Sequence, residues 1–344
     1  MYEQPDIAEE RLRACLRDQY ALAAASIAFL PLGLDSRAGV YRVVSEQGIA
    51  YLLKAKAGTF YEPGCLVPRY LRDQGIAGVV APLPTKGETL WVRLDEWIVT
   101  LYPFIEGEHG WNPAMSAAQW RAAGAAIRQI HQVRLPTAGF ESLRRETFDP
   151  TEYHRSVCAL EIEYIRAEGG SQAEQAMRSC WQAHQPTIDT AVASLEKLAG
   201  ALQKRSGPHV ICHADLHPSN IIRQENQVFV IDWDDVMLAP RERDFLFVGA
   251  APANGTAPTD AAPFFQGYGA LEIDWVALTY YLWERVVQDL IAYAEEVFLR
   301  GDLGATSKAA AVKMLQAILS EKGNGVDKAA AAAAHLPADL GGHL

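Results

Sequence analysis

The chain reads as an α+β protein of two lobes, a small β-rich one over residues 1–101 and a larger, mainly helical one over residues 102–344. Three observations predict this. Short β-branched and aromatic runs separated by polar or Gly-bearing turns fill the segment from Ile27 to Leu101. Apolar residues at helical spacing dominate after Pro113. Within that helical part the chain returns once to strand character, at Val210-Ile211-Cys212 and Val228-Phe229-Val230-Ile231. At 344 residues, 49% of them hydrophobic, the chain has ample material for such a core.

From about Asp6 to Tyr20 a surface helix is expected, with Ile7, Leu12, Cys15 and Leu16 sharing a face. Ile27–Leu30 and Val40–Val44 read as strands around the turn Leu32-Gly33-Leu34-Asp35-Ser36-Arg37-Ala38-Gly39. A Gly-bearing hairpin lets backbone amides approach a phosphate, and Ser36 can add a donor at the tip; a plain hairpin fits the same residues. Ile49–Lys56 is a third strand. It is apolar up to Lys54, and a lysine closing such a run is unusual unless it is paired or reaches a ligand. Lys56, two residues on, lies on the same strand face and competes for that role. A helix follows from about Tyr61 to Gln74, with Pro63 suited to its first turn and Pro68 expected to kink or break it. Thr89–Leu94 and Glu96–Leu101 complete the strands, and Tyr102-Pro103-Phe104-Ile105 leads out of the lobe.

The second lobe opens with a helix from Pro113 to about Gln132 that ends on His131-Gln132, with His131 read as structural. Asp149-Pro150-Thr151-Glu152 has the makings of a capping box for the next helix, with Asp149 as N-cap. Ser171 restarts a helix after Gly169-Gly170, and Pro186 interrupts it. A further helix is expected from Trp275 to about Leu299. Asp327-Lys328 and the alanines after it read as a terminal helix or a frayed tail.

The chemistry concentrates in His213-Ala214-Asp215-Leu216-His217-Pro218-Ser219-Asn220 and in Ile231-Asp232-Trp233. Asp215, Asn220 and Asp232 are hard oxygen donors on loops between short strands, where catalytic groups tend to sit. Oxygen donors suit Mg²⁺, which is held by one or two protein groups together with substrate phosphates. An acidic residue left over can accept a proton from a hydroxyl. A catalytic Asp, a metal-binding Asn and a second metal-binding Asp recur in that order at phosphoryl-transfer sites. Any one of these residues alone is an ordinary turn former; the order, spacing and strand context together point to chemistry.

Lys and Arg number 31 against 42 Asp and Glu, a net charge of −11. This disfavours a nucleic-acid partner, which wants a basic surface, and suits a small cationic acceptor drawn into an acidic cleft. Asp234, Asp235, Glu284 and Asp289 are the candidate carboxylates for such a cation, among aromatic residues that include Tyr280, Tyr281 and Trp283. A core stripe with solvated charges, or turn formation for the two aspartates, is the alternative. Five cysteines at no metal-ligand spacing predict reduced thiols and a cytoplasmic setting. The acidic N-terminus does not read as a signal peptide, and no stretch has the length of a membrane span. Nothing in the sequence bears on oligomeric state.

His213-x-Asp215-x-x-x-x-Asn220 followed by Ile231-Asp232 resembles the aminoglycoside phosphotransferases and their small-molecule kinase relatives. Protein kinases are a weaker match, because Ala214 and His217 stand where they carry Arg and Lys. Ile231-Asp232-Trp233-Asp234, Leu238–Asp244, Gly267-Tyr268-Gly269 and Glu284–Asp289 are similar to the spectinomycin-type subgroup, and the likeness runs from about Asp6 to about Phe298. The resemblance implies a bilobal protein-kinase-like fold with ATP and Mg²⁺ as cofactors. It implies that Asp215 orients or deprotonates the acceptor hydroxyl and that Asn220 and Asp232 hold the metal. Lys54, supported by Glu62, would meet the phosphates. The carbonyl of Tyr102 and the N–H of Phe104 would meet the adenine edge. The implied acceptor is an aminocyclitol or aminoglycoside antibiotic, and the implied role is resistance. A metabolic kinase for choline, an amino sugar or homoserine would share all these catalytic residues. A pseudokinase or interaction scaffold would lack turnover.

Overall fold

The computed structural model describes residues 4–32, 38–109, 114–136, 138–248, 261–320 and 322–341. Ser36 lies outside them. The chain divides into two compact units. One comprises Met1–Arg144, Val210–Leu238 and Ala261–Gly269; the other comprises Arg145–His209, Ala239–Asp260 and Ala270–Leu344.

The first unit begins with helix α1 (Glu9–Tyr20), which has Glu9 and Glu10 in its first turn and Arg17 in its last, each favourable to the helix dipole. Strands β1 (Ala24–Leu30), β2 (Ala38–Ser45) and β3 (Ala50–Ala57) follow, then helix α2 (Pro63–Asp73), β4 (Val92–Leu94) and β5 (Trp97–Pro103). The strands form one antiparallel sheet in the order β1-β2-β3-β5-β4. Its register sets the site. Leu53 stands opposite Tyr41 and Leu101, and these three are buried in a core with Val43, Ala55, Val99 and the α1 residues Leu12 and Leu16. Side chains alternate across a strand, so Lys54 and Lys56, with Thr100 opposite Lys54, occupy the other face.

Of the kink or break expected at Pro68, the break does not occur; α2 runs through it. A proline forfeits one backbone hydrogen bond. Here Cys65, Val67, Pro68 and Leu71 are all buried, and burying that apolar stripe offsets the loss.

Helix α3 (Ala117–Gln132) starts later than its apolar pattern predicts, because Ser116 caps it. The Ser116 hydroxyl accepts from the Gln119 N–H, and the Ser116 N–H donates to Gln119 Oε1 at 2.9 Å. The chain then forms α4 (Thr151–Leu160), α5 (Gln172–Ala183) and α6 (Gln185–Leu202) in the second unit. It returns to the first with β6 (Val210–Cys212), β7 (Ile221–Gln224) and β8 (Gln227–Val230). Helix α7 (Ala261–Tyr268) lies against α3, and His131 Nδ1 meets the Tyr268 hydroxyl at 2.8 Å, the structural role expected of it. The crossing is glycine-lined: a methyl on Gly124 would overlap the Phe264 carbonyl, and one on Gly267 the Arg121 carbonyl. Gly124→Val is therefore expected to cost about 3 kcal/mol through overpacking, read as a lowered Tm of the purified protein.

In the second unit α8 (Trp275–Phe298) is central. It is capped by Asp274, which accepts from the N–H groups of Val276 and Ala277. Trp181 of α5, Ile188 and Leu195 of α6, and Tyr281, Val287 and Leu290 of α8 share one buried core. Helices α9 (Ala305–Ser320) and α10 (Gly325–Ala333) add Leu315 and Ala329 to it. The alanine tract is thus a packed helix and not a frayed tail. The cap of α4 also differs from expectation. The helix starts at Thr151 after Pro150, Asp149 accepts from the Thr151 N–H at 3.0 Å in a local turn, and Glu152 pairs with Arg155.

Candidate active site

The loop between β6 and β7 and the segment after β8 are tied together through Ile231. Its N–H donates to the Asn220 carbonyl at 3.0 Å, and its own carbonyl accepts from His213 Nε2 at 2.8 Å. With that proton on Nε2, His213 Nδ1 accepts from the Asp215 N–H at 3.3 Å. The fully buried His213 ring also lies edge-on to Trp233, with centroids 4.8 Å apart. One histidine therefore fixes the backbone on both sides of the site, bringing the Asp215 loop to the residue before Asp232.

Asn220 closes the loop. Its Nδ2 donates to the Asp215 carbonyl at 2.9 Å and to Asp215 Oδ2 at 3.3 Å. This commits the amide nitrogen to the protein and leaves Oδ1 as its acceptor atom, the oxygen a hard cation needs. Asp232 supplies a second oxygen donor from a carboxylate that is 47% exposed. It sits at φ 62° and Ala214 at φ 70°, both in the left-handed region. That region is tolerated by Asp and is costlier for Ala, so the loop holds backbone strain on both sides of the site. The donor set of Asn220 and Asp232 fits Mg²⁺.

His217 also faces Asp215. Its Nδ1 accepts from the Ser219 N–H at 3.2 Å, so Nε2 carries the proton, and Nε2 lies 3.4 Å from Asp215 Oδ2. Sequence reading did not assign His213 or His217 to the site. The available signal was their placement two residues on either side of Asp215.

The lysines of β3 sit differently from expectation. Lys54 Nζ donates to Asp232 Oδ1 at 2.8 Å and to Asp234 Oδ2 at 3.0 Å, and Lys56 Nζ reaches the same Asp234 oxygen at 2.8 Å. Burial disfavours the charge on Lys54, but Asp232 and Asp234 outweigh it and hold its pKa well above the usual lysine value. Burial likewise opposes the charge on Asp234, and the two ammonium groups, Lys54 foremost, bring its carboxyl down to about 2. Among the described residues Glu62 makes no ion pair with Lys54. It lies immediately before the first residue of α2, Pro63. The carboxylates that meet Lys54 in this structure, Asp232 and Asp234, come from the segment after β8.

Beside these lysines is a small open cleft, lined also by Phe60, Tyr61, Cys65 and Tyr102. Burial pushes the Cys65 thiol up to about 12, which makes it a poor nucleophile. The Phe104 N–H is directed at the Ala50 carbonyl at 3.4 Å, a long bond that continues the β3–β5 ladder. Asp235 stays exposed, with Arg144 at 3.3 Å.

Glu284 and Asp289 fall in the second unit and depart from the expectation of carboxylates open to a cation. Glu284 is buried, pairs with Arg243 and accepts from the Tyr280 hydroxyl at 3.2 Å. Asp289 lies 2.9 Å from Arg285. In both cases a neighbouring arginine, one turn away or on the segment before, already neutralises the charge.

Residues 30–281 match the model of the phosphotransferase enzyme family. The chain belongs to this family. The enzyme is a phosphotransferase with an alcohol group as acceptor. Its fold is the α+β kinase-like fold of the aminoglycoside phosphotransferases, as expected. Spectinomycin phosphotransferase APH(9)-Ia in complex with ADP and spectinomycin superposes with a TM-score of 0.85 at 29% identity, over 96% of this chain and 99% of that one. The AMP-bound complex of the same protein gives 0.80 at 28% identity, over 93% and 97%. Amicoumacin kinase, at 15% identity and a TM-score of 0.63 over 91% and 93%, shares the fold. No curated protein sequence matches the chain. Among the described residues no helix is long and apolar enough to cross a membrane.

Proposed function

We propose that the enzyme transfers a phosphoryl group from ATP to a hydroxyl of a spectinomycin-type aminocyclitol antibiotic, and so confers resistance to it. The observation that carries this reading is the likeness to a spectinomycin phosphotransferase over 96% of the chain, at 29% identity. The cluster of Asp215, Asn220 and Asp232 supports it, because the three sit on loops joined by the two hydrogen bonds of Ile231. The net charge of −11 suits a cationic acceptor.

In this reading Asp215 accepts the proton of the acceptor hydroxyl, or orients that hydroxyl, with the Asn220 amide and His217 Nε2 holding its carboxylate in place. Asn220 Oδ1 and the Asp232 carboxylate would hold Mg²⁺, which would supply positive charge to the phosphates. Lys54 moves its ammonium from Asp232 to the phosphates. Tyr102, a residue of the cleft lining, offers its carbonyl to the adenine edge.

The test is ADP release with ATP and Mg²⁺ across spectinomycin, other aminoglycosides, choline, amino sugars and homoserine. Turnover with spectinomycin is expected. Turnover confined to choline, an amino sugar or homoserine would leave the phosphotransferase and discard the resistance role.

A further inference from the structure

The β3 register sends Lys54 and Lys56 to one face of the sheet, and both ammonium groups converge on a single oxygen, Asp234 Oδ2, at 3.0 and 2.8 Å. The backbone of Asp234 is itself pinned. Arg144 Nη2 donates to its carbonyl at 2.9 Å, and the Val236 N–H closes a turn onto the Trp233 carbonyl at 3.1 Å. The Tyr61 hydroxyl donates to the Val236 carbonyl at 2.9 Å and accepts from the Arg144 N–H at 2.8 Å. The first turn of α2 closes on the same segment at Gly64, where a side-chain carbon would stand 3.2 Å from the Trp233 carbonyl and 3.4 Å from Asp234 Cα. A carboxylate carried on a backbone held this firmly can position a flexible lysine. Asp232 also binds Lys54, but its carboxylate is the one assigned to the metal, which competes with the ammonium for it.

We propose that Asp234 is the positioning residue for Lys54. It fills the place that a glutamate of α2 would otherwise take, and it holds the ammonium toward the nucleotide phosphates when Asp232 turns to the metal. Asp234 acts through Lys54 and does not contact the acceptor. This inference rests on the nucleotide-dependent reading above.

The test uses the full chain, with KM values for ATP and for the acceptor and with thermal shift by ATP in the absence of acceptor. Asp234→Asn is expected to raise the KM for ATP about tenfold, the scale of one charge-assisted hydrogen bond. It should also shrink the ATP-dependent thermal shift and leave the acceptor KM within twofold. Asp234→Glu should restore most of the ATP affinity. In a Lys54→Met background, Asp234→Asn should add no further loss, which a purely structural role would not produce. A rise confined to the acceptor KM overturns the inference, as does a larger loss of ATP affinity from Glu62→Gln than from Asp234→Asn. An unmodified chain that shows neither an ATP-dependent shift nor turnover overturns the nucleotide-dependent reading itself. A normal shift in both the unmodified chain and Asp234→Asn overturns this inference alone.

Discussion

Asp215→Ala is expected to lower turnover by about a thousandfold, the range of a positioned general base, while ATP still protects the protein against heat. The split follows from the geometry. The Asp215 carboxylate is held by Asn220 Nδ2 at 3.3 Å and faced by His217 Nε2 at 3.4 Å, and it makes no ion pair with Lys54 among the described residues. Its removal takes away the group proposed to meet the hydroxyl and leaves the lysine cluster standing. The backbone bonds of the loop also survive, because the Asn220 amide keeps its 2.9 Å bond to the residue 215 carbonyl and His213 still accepts from the residue 215 N–H. Steady-state ADP release and a thermal-shift titration on one preparation check both halves. Turnover within tenfold of the unmodified chain would remove Asp215 from the catalytic role.

Asp232→Ala should be as damaging to turnover, about a thousandfold, with a different signature. It removes the proposed metal oxygen donor and, with it, the 2.8 Å partner of Lys54. Magnesium should then no longer enhance the thermal shift by ATP, whereas in Asp215→Ala it still does. Residue 232 also sits at φ 62°, where alanine is less at home than aspartate. Asp232→Asn keeps the conformational preference and most of the shape, so the loss of magnesium dependence should appear there too, without a fall in ligand-free Tm. A magnesium-dependent shift of normal size in Asp232→Asn would move the metal to other residues.

The motif was legible in sequence because it is local. Asp215 and Asn220 are five residues apart on one loop, and the strands on either side carry an alternation that needs no distant partner to be recognised. The strand ending in Lys54 was legible for the same reason. Its twofold period also shows that Lys56 shares the Lys54 face, which is why the two could not be separated in sequence. The structure does not separate them either: both reach Asp234.

The partner of Lys54 was not legible. Glu62 precedes the next helix and Asp234 lies 180 residues from the lysine, and only the folded chain brings Asp234 to 3.0 Å. Helix ends went astray for a related reason. Ser116 caps α3 and Asp149 forms a turn before α4 because of side-chain bonds that propensity does not weigh. Pro68 stays inside α2 because burial of one face offsets the lost bond. Glu284 and Asp289 are candidate acceptor carboxylates by type and helical spacing, with a core stripe and solvated charges as the alternative, and only the fold shows the arginine beside each. Short-range pattern therefore determined the fold class and the family, and it singled out the loop of Asp215 and Asn220 as the candidate for chemistry. Tertiary structure alone decided which charges meet, since an ion pair depends on distance in space and a carboxylate carries no mark of its partner in sequence.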